Sequence, residues 1–206
     1  MSDPRPDMTG ALPPPFVYRW MAGLYLAPPD AAALAAYRGP QGREVLDGLA
    51  LIPALAPPVA EIAALSRIDS DLDATAGRIG AAHSGAFLVG GRRSAPPYAS
   101  VWLSERGLIY QEPARVMIRL LAAAGLSLPE DVREPPDHIG FQLNLLAELN
   151  ERHHAGQDAP IAPDAFIRDH LLTWLPDFAA ACAGLRDPLI YAALAAATLD
   201  YLSENP

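Results

Sequence analysis

Apolar residues recur along this chain at intervals of three and four, and this spacing restricts the fold more than any other feature. Alanine is the most frequent residue, and β-branched residues are sparse. Apolar positions three and four apart form one face of a helix, whereas a half-buried strand needs strict alternation. The 22 prolines fall mostly in pairs or at the edges of the periodic stretches, where proline opens helices or fills connections. The sequence therefore predicts an all-α fold of helices packed on helices.

The N-terminal half contains three predicted helical stretches. Phe16, Trp20 and Leu24 are spaced by four and predict a helix that packs in the core by this face. The following Pro-Pro-Asp sequence predicts the end of that helix and the start of a short alanine-rich one. Residues 58–83 carry apolar residues at helical intervals, but aspartates interrupt the pattern at 69–73. This stretch therefore predicts one helix or two.

The C-terminal half repeats the helical pattern between proline-rich connections. One predicted helix begins near Glu112 and ends at Gly125, since glycine is a common residue at helix C-termini. The next carries a continuous apolar stripe, formed by Ile139, Leu143, Leu146 and Leu149. Two more begin after Pro163-Asp164 and Asp187-Pro188. The first of these has an aromatic stripe of Phe166, His170 and Trp174.

The chain length suits a single domain with one substantial core. Its 206 residues bury enough apolar surface for one domain and fall short of two ordinary ones. We expect a flexible N-terminal segment over residues 1–14 and one helical domain over 15–206. A possible hinge is predicted at 129–136, where prolines separate two helical patterns.

The negative charge of the chain disfavours nucleic-acid binding, and its lack of lysine excludes two kinds of functional site. The formal net charge is −9 and the sequence pI is about 4.9, which disfavours binding to nucleic acid and favours a cationic partner. All 15 basic residues are arginine. Without lysine, the chain has no phosphate-binding loop of the Gly-Lys-Ser/Thr type and no Schiff-base lysine.

Cysteine usage and hydropathy indicate a cytoplasmic protein. Cys182 is the only cysteine, so no internal disulfide forms, and its alanine-rich surroundings predict a small core residue. No segment approaches the roughly 18 uninterrupted apolar residues of a membrane span. The N-terminus lacks the basic start and apolar run of an export signal.

We expect neither a metal site nor a cofactor, because the candidate ligands are badly spaced. The aspartates at 69–73 imitate the start of a calcium loop, but Ala74 and Gly80 occupy the positions that need glycine and glutamate. His153 and His154 are adjacent, so they point about 100° apart on a helix and do not chelate one ion.

Residues 134–140 read Glu-Pro-Pro-Asp-His-Ile-Gly and are the richest segment for function. Asp137 is expected to cap the helix in whose first turn it lies, and Gly140 to permit close helix packing. This leaves His138 unexplained. Because a helix N-terminus disfavours the charged form of histidine, His138 predicts either a hydrogen-bond network or a ligand contact. An Asp-His pair also suits general base catalysis, although no nucleophile or metal ligand is placed to complete an active site.

Residues 134–140 resemble the signature of the TorD/DmsD family of redox-enzyme maturation proteins, which reads approximately E-P-x-D-H-I-G-x-E-L. A second feature of the family is a helix end resembling Leu-Phe-Val-Gly that is followed by a Pro-Tyr-x-Ser-Val segment. This sequence has Phe-Leu-Val-Gly at 87–90 and Pro-Tyr-Ala-Ser-Val at 97–101. The separation of the two features agrees, and the resemblance covers nearly the whole chain. Gln142 departs from the pattern, since the family commonly has glutamate there, and so does Pro136 inside the motif.

The resemblance implies a single-domain helical bundle of the TorD type that acts as a cytoplasmic chaperone without catalytic activity. Such a chaperone binds the twin-arginine signal peptide of a molybdopterin oxidoreductase and delays export until the cofactor is inserted. The body of that enzyme is a further candidate for binding. The residues expected to contact the peptide or shape its groove are Glu134, Asp137, His138, Gly140, Tyr98 and Ser100.

Two alternatives from other classes stay open: a structural helical adaptor for another protein, and a small hydrolase or nucleotide-binding enzyme that uses Asp137 and His138. The predicted oligomeric state is a monomer or a dimer that exchanges helices through the connection at 129–136.

Overall fold

A computed structural model describes residues 10, 12–67, 71–88, 94–129 and 132–204. Within these ranges the chain forms eleven α-helices: α1 (Pro14–Leu26), α2 (Ala31–Ala36), α3 (Pro40–Ala50), α4 (Ala56–Leu65), α5 (Leu72–His83), α6 (Ala99–Leu103), α7 (Glu112–Ala123), α8 (Ile139–His154), α9 (Pro163–Phe166), α10 (Leu175–Ala183) and α11 (Ile190–Glu204). A 3-10 turn, Pro53–Leu55, precedes α4, and π-turns follow α5 (Ser84–Leu88) and α9 (Ile167–Leu171). The described residues contain no strand, only an isolated bridge between Tyr98 and His138. The all-α prediction is confirmed.

Several predicted helix boundaries match their local chemistry. The Asp30 carboxylate accepts the Ala33 N–H at 2.7 Å and caps α2. Asp71 caps α5 through the Ala74 N–H at 3.1 Å, so residues 58–83 form two helices. Gly125 follows α7 with φ +68°, the left-handed conformation that glycine adopts freely.

The buried face of α1 differs from the predicted one. Phe16 is 37% exposed, and Trp20 is half-buried, its indole N–H donating to the Tyr37 hydroxyl at 3.0 Å. The core face is broader and lies one residue along the helix, formed by Val17, Tyr18, Met21, Leu24 and Tyr25. The prediction was therefore wrong for Phe16 and Trp20 and right for Leu24, and the helix that α1 packs along is α8.

Helix α8 is the central helix of the bundle. Its predicted stripe of Ile139, Leu143, Leu146 and Leu149 is fully buried. Gly140 faces α1 so closely that a Cβ atom there would lie 2.4 Å from Leu26 Cγ and 3.1 Å from the Ala22 carbonyl oxygen. The end of α1 and the start of α8 therefore approach more closely than any side chain at this position allows.

The C-terminal third completes the core. The predicted helix from Pro163 is interrupted by the π-turn after α9, and the peptide N–H of Phe178 in α10 then bonds the Trp174 carbonyl at 3.2 Å. Helix α11 packs on α10 and α4. Cys182 is fully buried in α10, and burial raises the pKa of its thiol to about 12. Cys182 is therefore a core residue, as predicted.

Some predicted features fall outside the described residues: most of the N-terminal segment, Asp69, Val89 and Gly90, and part of the hinge at 130–131. Helix α1 begins at Pro14, one residue earlier than the predicted domain start. Within the described ranges no single helix is long and apolar enough to cross a membrane. The pair Pro40–Ala50 and Pro53–Leu65 meets the length and composition requirement only together, bent by 118°.

We predict that Gly140→Ala destabilises the fold by about 1–3 kcal/mol, because the new methyl group overlaps Leu26 and crowds the α1 backbone. Gly77→Ala in α5 is the matched control, since nothing lies within 4 Å of its added Cβ. The control should gain about 0.5–1 kcal/mol from helix propensity. Urea denaturation measures both, and equal stabilisation by the two substitutions would contradict the close packing.

Candidate functional site

Asp137 joins the starts of two helices. Its Oδ2 atom accepts the Ser100 N–H at 2.6 Å, so the carboxyl group caps α6. Its backbone carbonyl accepts the Ala99 N–H at 3.2 Å and the Gln142 side-chain N–H at 2.7 Å. The prediction that Asp137 lies in the first turn of α8 and caps that helix was wrong: Asp137 precedes α8, and its carboxyl group accepts from Ser100, 37 residues earlier.

His138 is the residue that caps α8. Its Nδ1 atom accepts the Gly140 N–H at 3.0 Å, and only 4% of the residue is exposed. Burial, with a smaller Coulombic contribution from His83, lowers the pKa of His138 to about 3. The ring is therefore neutral at pH 7, which a nitrogen acceptor at a helix N-terminus requires. Of the two explanations that the sequence left for His138, the hydrogen-bond network is the one present.

The two motif segments lie side by side. The Ile139 N–H donates to the Pro97 carbonyl at 2.8 Å, next to the Tyr98–His138 bridge. The Tyr98 hydroxyl donates to the Glu134 carboxylate, and its ring meets the His138 ring edge-on at 5.3 Å. Burial is the largest cause that raises the pKa of Tyr98, followed by its hydrogen bond to Glu134.

The other two residues predicted for the site, Ser100 and Gly140, are buried where helices meet. Ser100 is fully buried, and its hydroxyl accepts the Gln111 N–H at 3.0 Å, which ties α6 to the start of α7. Gly140 faces α1 rather than a groove. The structure thus brings Tyr98, Glu134, Asp137 and His138 together with these two around the starts of α6 and α8. Their contact with a peptide stays a prediction.

An apolar groove of about 490 Å³ runs along one side of α6. It is lined by Phe87, Leu88, Ser94, Pro96, Tyr98, Val101, Trp102, Gly107 and Ile109. Leu88 is 59% exposed and Ile109 46% exposed, although both are large apolar residues. The groove is thus an open surface that offers apolar contact, and none of the described residues that line it carries a charged side chain.

A smaller cavity of about 290 Å³ lies on the other side of α6, between α7, α8 and the second π-turn. Asp137, Gln142, Glu112, Asp169 and His170 supply its polar lining, and the rest is mostly apolar. The groove and the acidic cavity are separated by a helix of only five residues.

Sequence reasoning missed the groove and the acidic lining of this cavity. The available signal for the groove was the run Leu108-Ile109-Tyr110 in the connection before α7, since consecutive apolar residues in a connection indicate a binding surface. Each of these three is about half exposed. For Glu112 and Asp169 there was no signal, because their proximity depends on how α7 and the π-turn pack.

A third concavity does not suit a cationic partner, and the described residues offer no metal site. A larger concavity of about 750 Å³ lies beside α5 and the α10–α11 connection, with Arg78 and Arg186 in its lining. Within the described part of the chain, no three metal-ligating side chains are placed to hold one ion.

Comparison with known proteins decides the family. Residues 52–180 match the family described as nitrate reductase delta subunit. The chain is 34% identical over 196 residues to the chaperone protein TorD of Vibrio cholerae, covering 92% of this chain and 88% of the relative. This chain belongs to the TorD/DmsD family of redox-enzyme maturation proteins. TorD of Photobacterium profundum is 31% identical over 187 residues, with 86% and 85% covered.

The fold agrees with this family. A redox enzyme maturation protein from Archaeoglobus fulgidus superposes with a TM-score of 0.56, at 19% identity, over 98% of this chain and 99% of that one. Gln142 departs from the usual TorD/DmsD glutamate, and the structure supplies a physical consequence. The side-chain amide of Gln142 donates a hydrogen bond to the backbone carbonyl of Asp137. A glutamate at this position would donate that bond only in its protonated form.

We predict that the neutral state of His138 makes stability depend on pH. In the unfolded chain His138 titrates near its usual pKa of 6.5, whereas in the fold the pKa is about 3. The stability it contributes is present above pH 6.5 and is lost as the pH falls toward 3, by up to about 1.4 kcal/mol per unit.

The matched variant is His138→Asn, because asparagine caps a helix without titrating. Urea denaturation at pH 7.5, 6.0 and 5.0 should show the advantage of the wild type over the variant shrinking as the pH falls. A constant difference between the two proteins would show that His138 is not held neutral.

Proposed function

We propose that this protein is a non-catalytic cytoplasmic chaperone that binds the twin-arginine signal peptide of a molybdopterin oxidoreductase. It retains the peptide until the cofactor has been inserted into the client, and then releases it for export. The observation that carries the proposal is the exposed apolar groove beside α6, next to Tyr98, in a chain of net charge −9.

The surfaces on the two sides of α6 match the two parts of such a peptide. A twin-arginine signal peptide has two arginines followed by an apolar stretch. Burying about 500 Å² of apolar surface is worth roughly 12 kcal/mol gross at 25 cal/mol per Å², of which association removes about 4–15 kcal/mol. The groove thus supplies affinity, while negative charge steers and orients the peptide. The complex is weak enough to release its client.

Asp137 and His138 act in this proposal mainly through position. Asp137 holds the start of α6, which forms one wall of the groove, and His138 supports Tyr98 in its lining. Glu134 fixes the Tyr98 hydroxyl. A general-base role for His138 is disfavoured, because its Nδ1 is occupied by the Gly140 N–H and the ring is buried.

The adaptor alternative predicts a folded partner and no affinity for signal peptides.

A monomer explains the buried core of the described residues, and a helix-exchanged dimer would require the connection at 129–136 to open. Light scattering at several concentrations distinguishes the two states.

We predict that Leu88→Ser with Ile109→Ser weakens signal-peptide binding by about 10–100-fold, because both side chains line the groove and lose apolar contact. Fluorescence anisotropy of labelled twin-arginine peptides from the organism's own molybdoenzymes measures the affinity. Helical circular dichroism should not change, since about half of each residue is exposed.

The control pair is Leu51→Ser with Ile118→Ser, at apolar residues that are 59% and 55% exposed and lie outside the groove. It should leave the affinity unchanged. If the groove pair and the control pair have the same effect, the peptide does not occupy the groove. If no native peptide binds the wild type, the adaptor function gains support instead.

A further inference from the structure

The third concavity, beside α5 and the α10–α11 connection, carries positive charge in an otherwise acidic chain. We call it the arginine concavity, because its lining includes Arg78 and Arg186 and one acidic residue, Asp187. Both arginines are exposed, and within the described part of the chain neither guanidinium has a hydrogen-bond or ion-pair partner. Other arginines are paired, for example Arg19 with Glu151 at 2.7 Å. The two positive charges of this concavity are therefore available to an anionic partner.

The α10–α11 connection forms one wall of the arginine concavity along its whole length, since residues 184–189 are all in the lining. Asp187 and Leu189 have φ angles of +54° and +45°, in the left-handed region that residues with a side chain rarely adopt. Such backbone costs free energy and is concentrated at functional sites, where the surrounding structure holds it in place. The fully buried Cys182 and Ile190 hold the two ends of the connection. The shape of this wall therefore does not depend on a ligand.

The rest of the lining is small or apolar. The wall from α5 and the π-turn that follows it consists of small residues: Ala81, Ala82, Gly85 and Ala86. A Cβ atom added at Gly85 would have nothing within 4 Å, so this wall borders open space. The α10–α11 connection adds three half-buried apolar side chains: Leu185, Pro188 and Leu189. The arginine concavity thus combines positive charge with apolar contact.

The strength of these interactions decides which ligand suits the concavity. Exposed ion pairs are screened by solvent and each contributes little, so two exposed guanidinium groups do not hold a small inorganic anion tightly. Apolar burial adds free energy in proportion to the area covered. A peptide segment that covers Leu185 and Leu189 while it pairs with the two arginines gains from both. Carboxylates suit such arginines, because the planar guanidinium donates to both carboxylate oxygens.

We infer that the arginine concavity docks an acidic segment of a partner protein. Carboxylate side chains of the segment pair with Arg78 and Arg186, and its apolar side chains pack on the α10–α11 connection. This is a second binding surface, because its lining shares no residue with the groove or the acidic cavity beside α6. Its occupant also differs, since the two arginines of a signal peptide would be repelled here. The inference therefore does not depend on the proposed function.

Two labelled synthetic peptides test this docking surface. The probe is a short peptide of glutamate and leucine, and its control has glutamine in place of every glutamate. Fluorescence anisotropy with the full chain should show at least about fivefold tighter binding of the glutamate peptide. This preference should shrink as the salt concentration rises, because salt screens the ion pairs. Equal affinities for the two peptides would overturn the proposal.

Charge variants test whether the two arginines carry the preference. Arg78→Gln with Arg186→Gln should reduce it to less than about twofold, and helical circular dichroism should not change because both residues are exposed. The matched control is Arg106→Gln with Arg133→Gln, which removes the same charge at two exposed arginines outside the lining. The control should keep the full preference. An equal loss in the two double variants would show attraction without a site and contradict the proposal.

Gly85→Leu tests the location of the peptide without a change of charge. The new side chain would occupy the open space beside the π-turn and should weaken binding of the glutamate peptide by about fivefold or more. Gly77→Leu on α5 is the matched control, since its added Cβ also meets nothing within 4 Å and it lies outside the lining. Unchanged binding by Gly85→Leu would overturn the proposal. Displacement of the peptide by inorganic phosphate at the same concentration would also overturn it, because the concavity would then be a small-anion site.

Discussion

The hydrogen bond from the Ser100 N–H to the Asp137 carboxyl group, 2.6 Å long, determines where helix α6 lies. This helix has only five residues, too few to be stable without tertiary contacts. Both concave surfaces beside the motif are bounded by it: the apolar groove on one side and the acidic cavity on the other. One buried carboxyl group therefore fixes the helix that bounds both surfaces.

The capping of α6 by Asp137 depends in turn on how α8 begins. Gly140 lets the end of α1 approach the start of α8, where His138 is buried and neutral. A neutral imidazole accepts the Gly140 N–H, which leaves the Asp137 carboxyl group free to cap α6 instead of α8. The Asp-His pair thus divides the capping of two helices between its members. This arrangement explains these residues without catalysis.

The sequence predicted the helices well and the site only partly. The stripe on α8, the caps at Asp30 and Asp71, and the end of α7 at Gly125 follow from local spacing and capping chemistry. The exposed Phe16 and the transfer of the Asp137 cap to α6 depend on contacts between distant helices. Glu112 and Asp169 lie 57 positions apart and share a cavity only after folding.

The most direct test of this account is a crystal structure of the full chain bound to the signal peptide of its client. We expect the apolar stretch of the peptide to lie in the groove lined by Phe87, Trp102 and Ile109. A peptide bound away from α6, for example in the concavity lined by Arg78 and Arg186, would contradict the account.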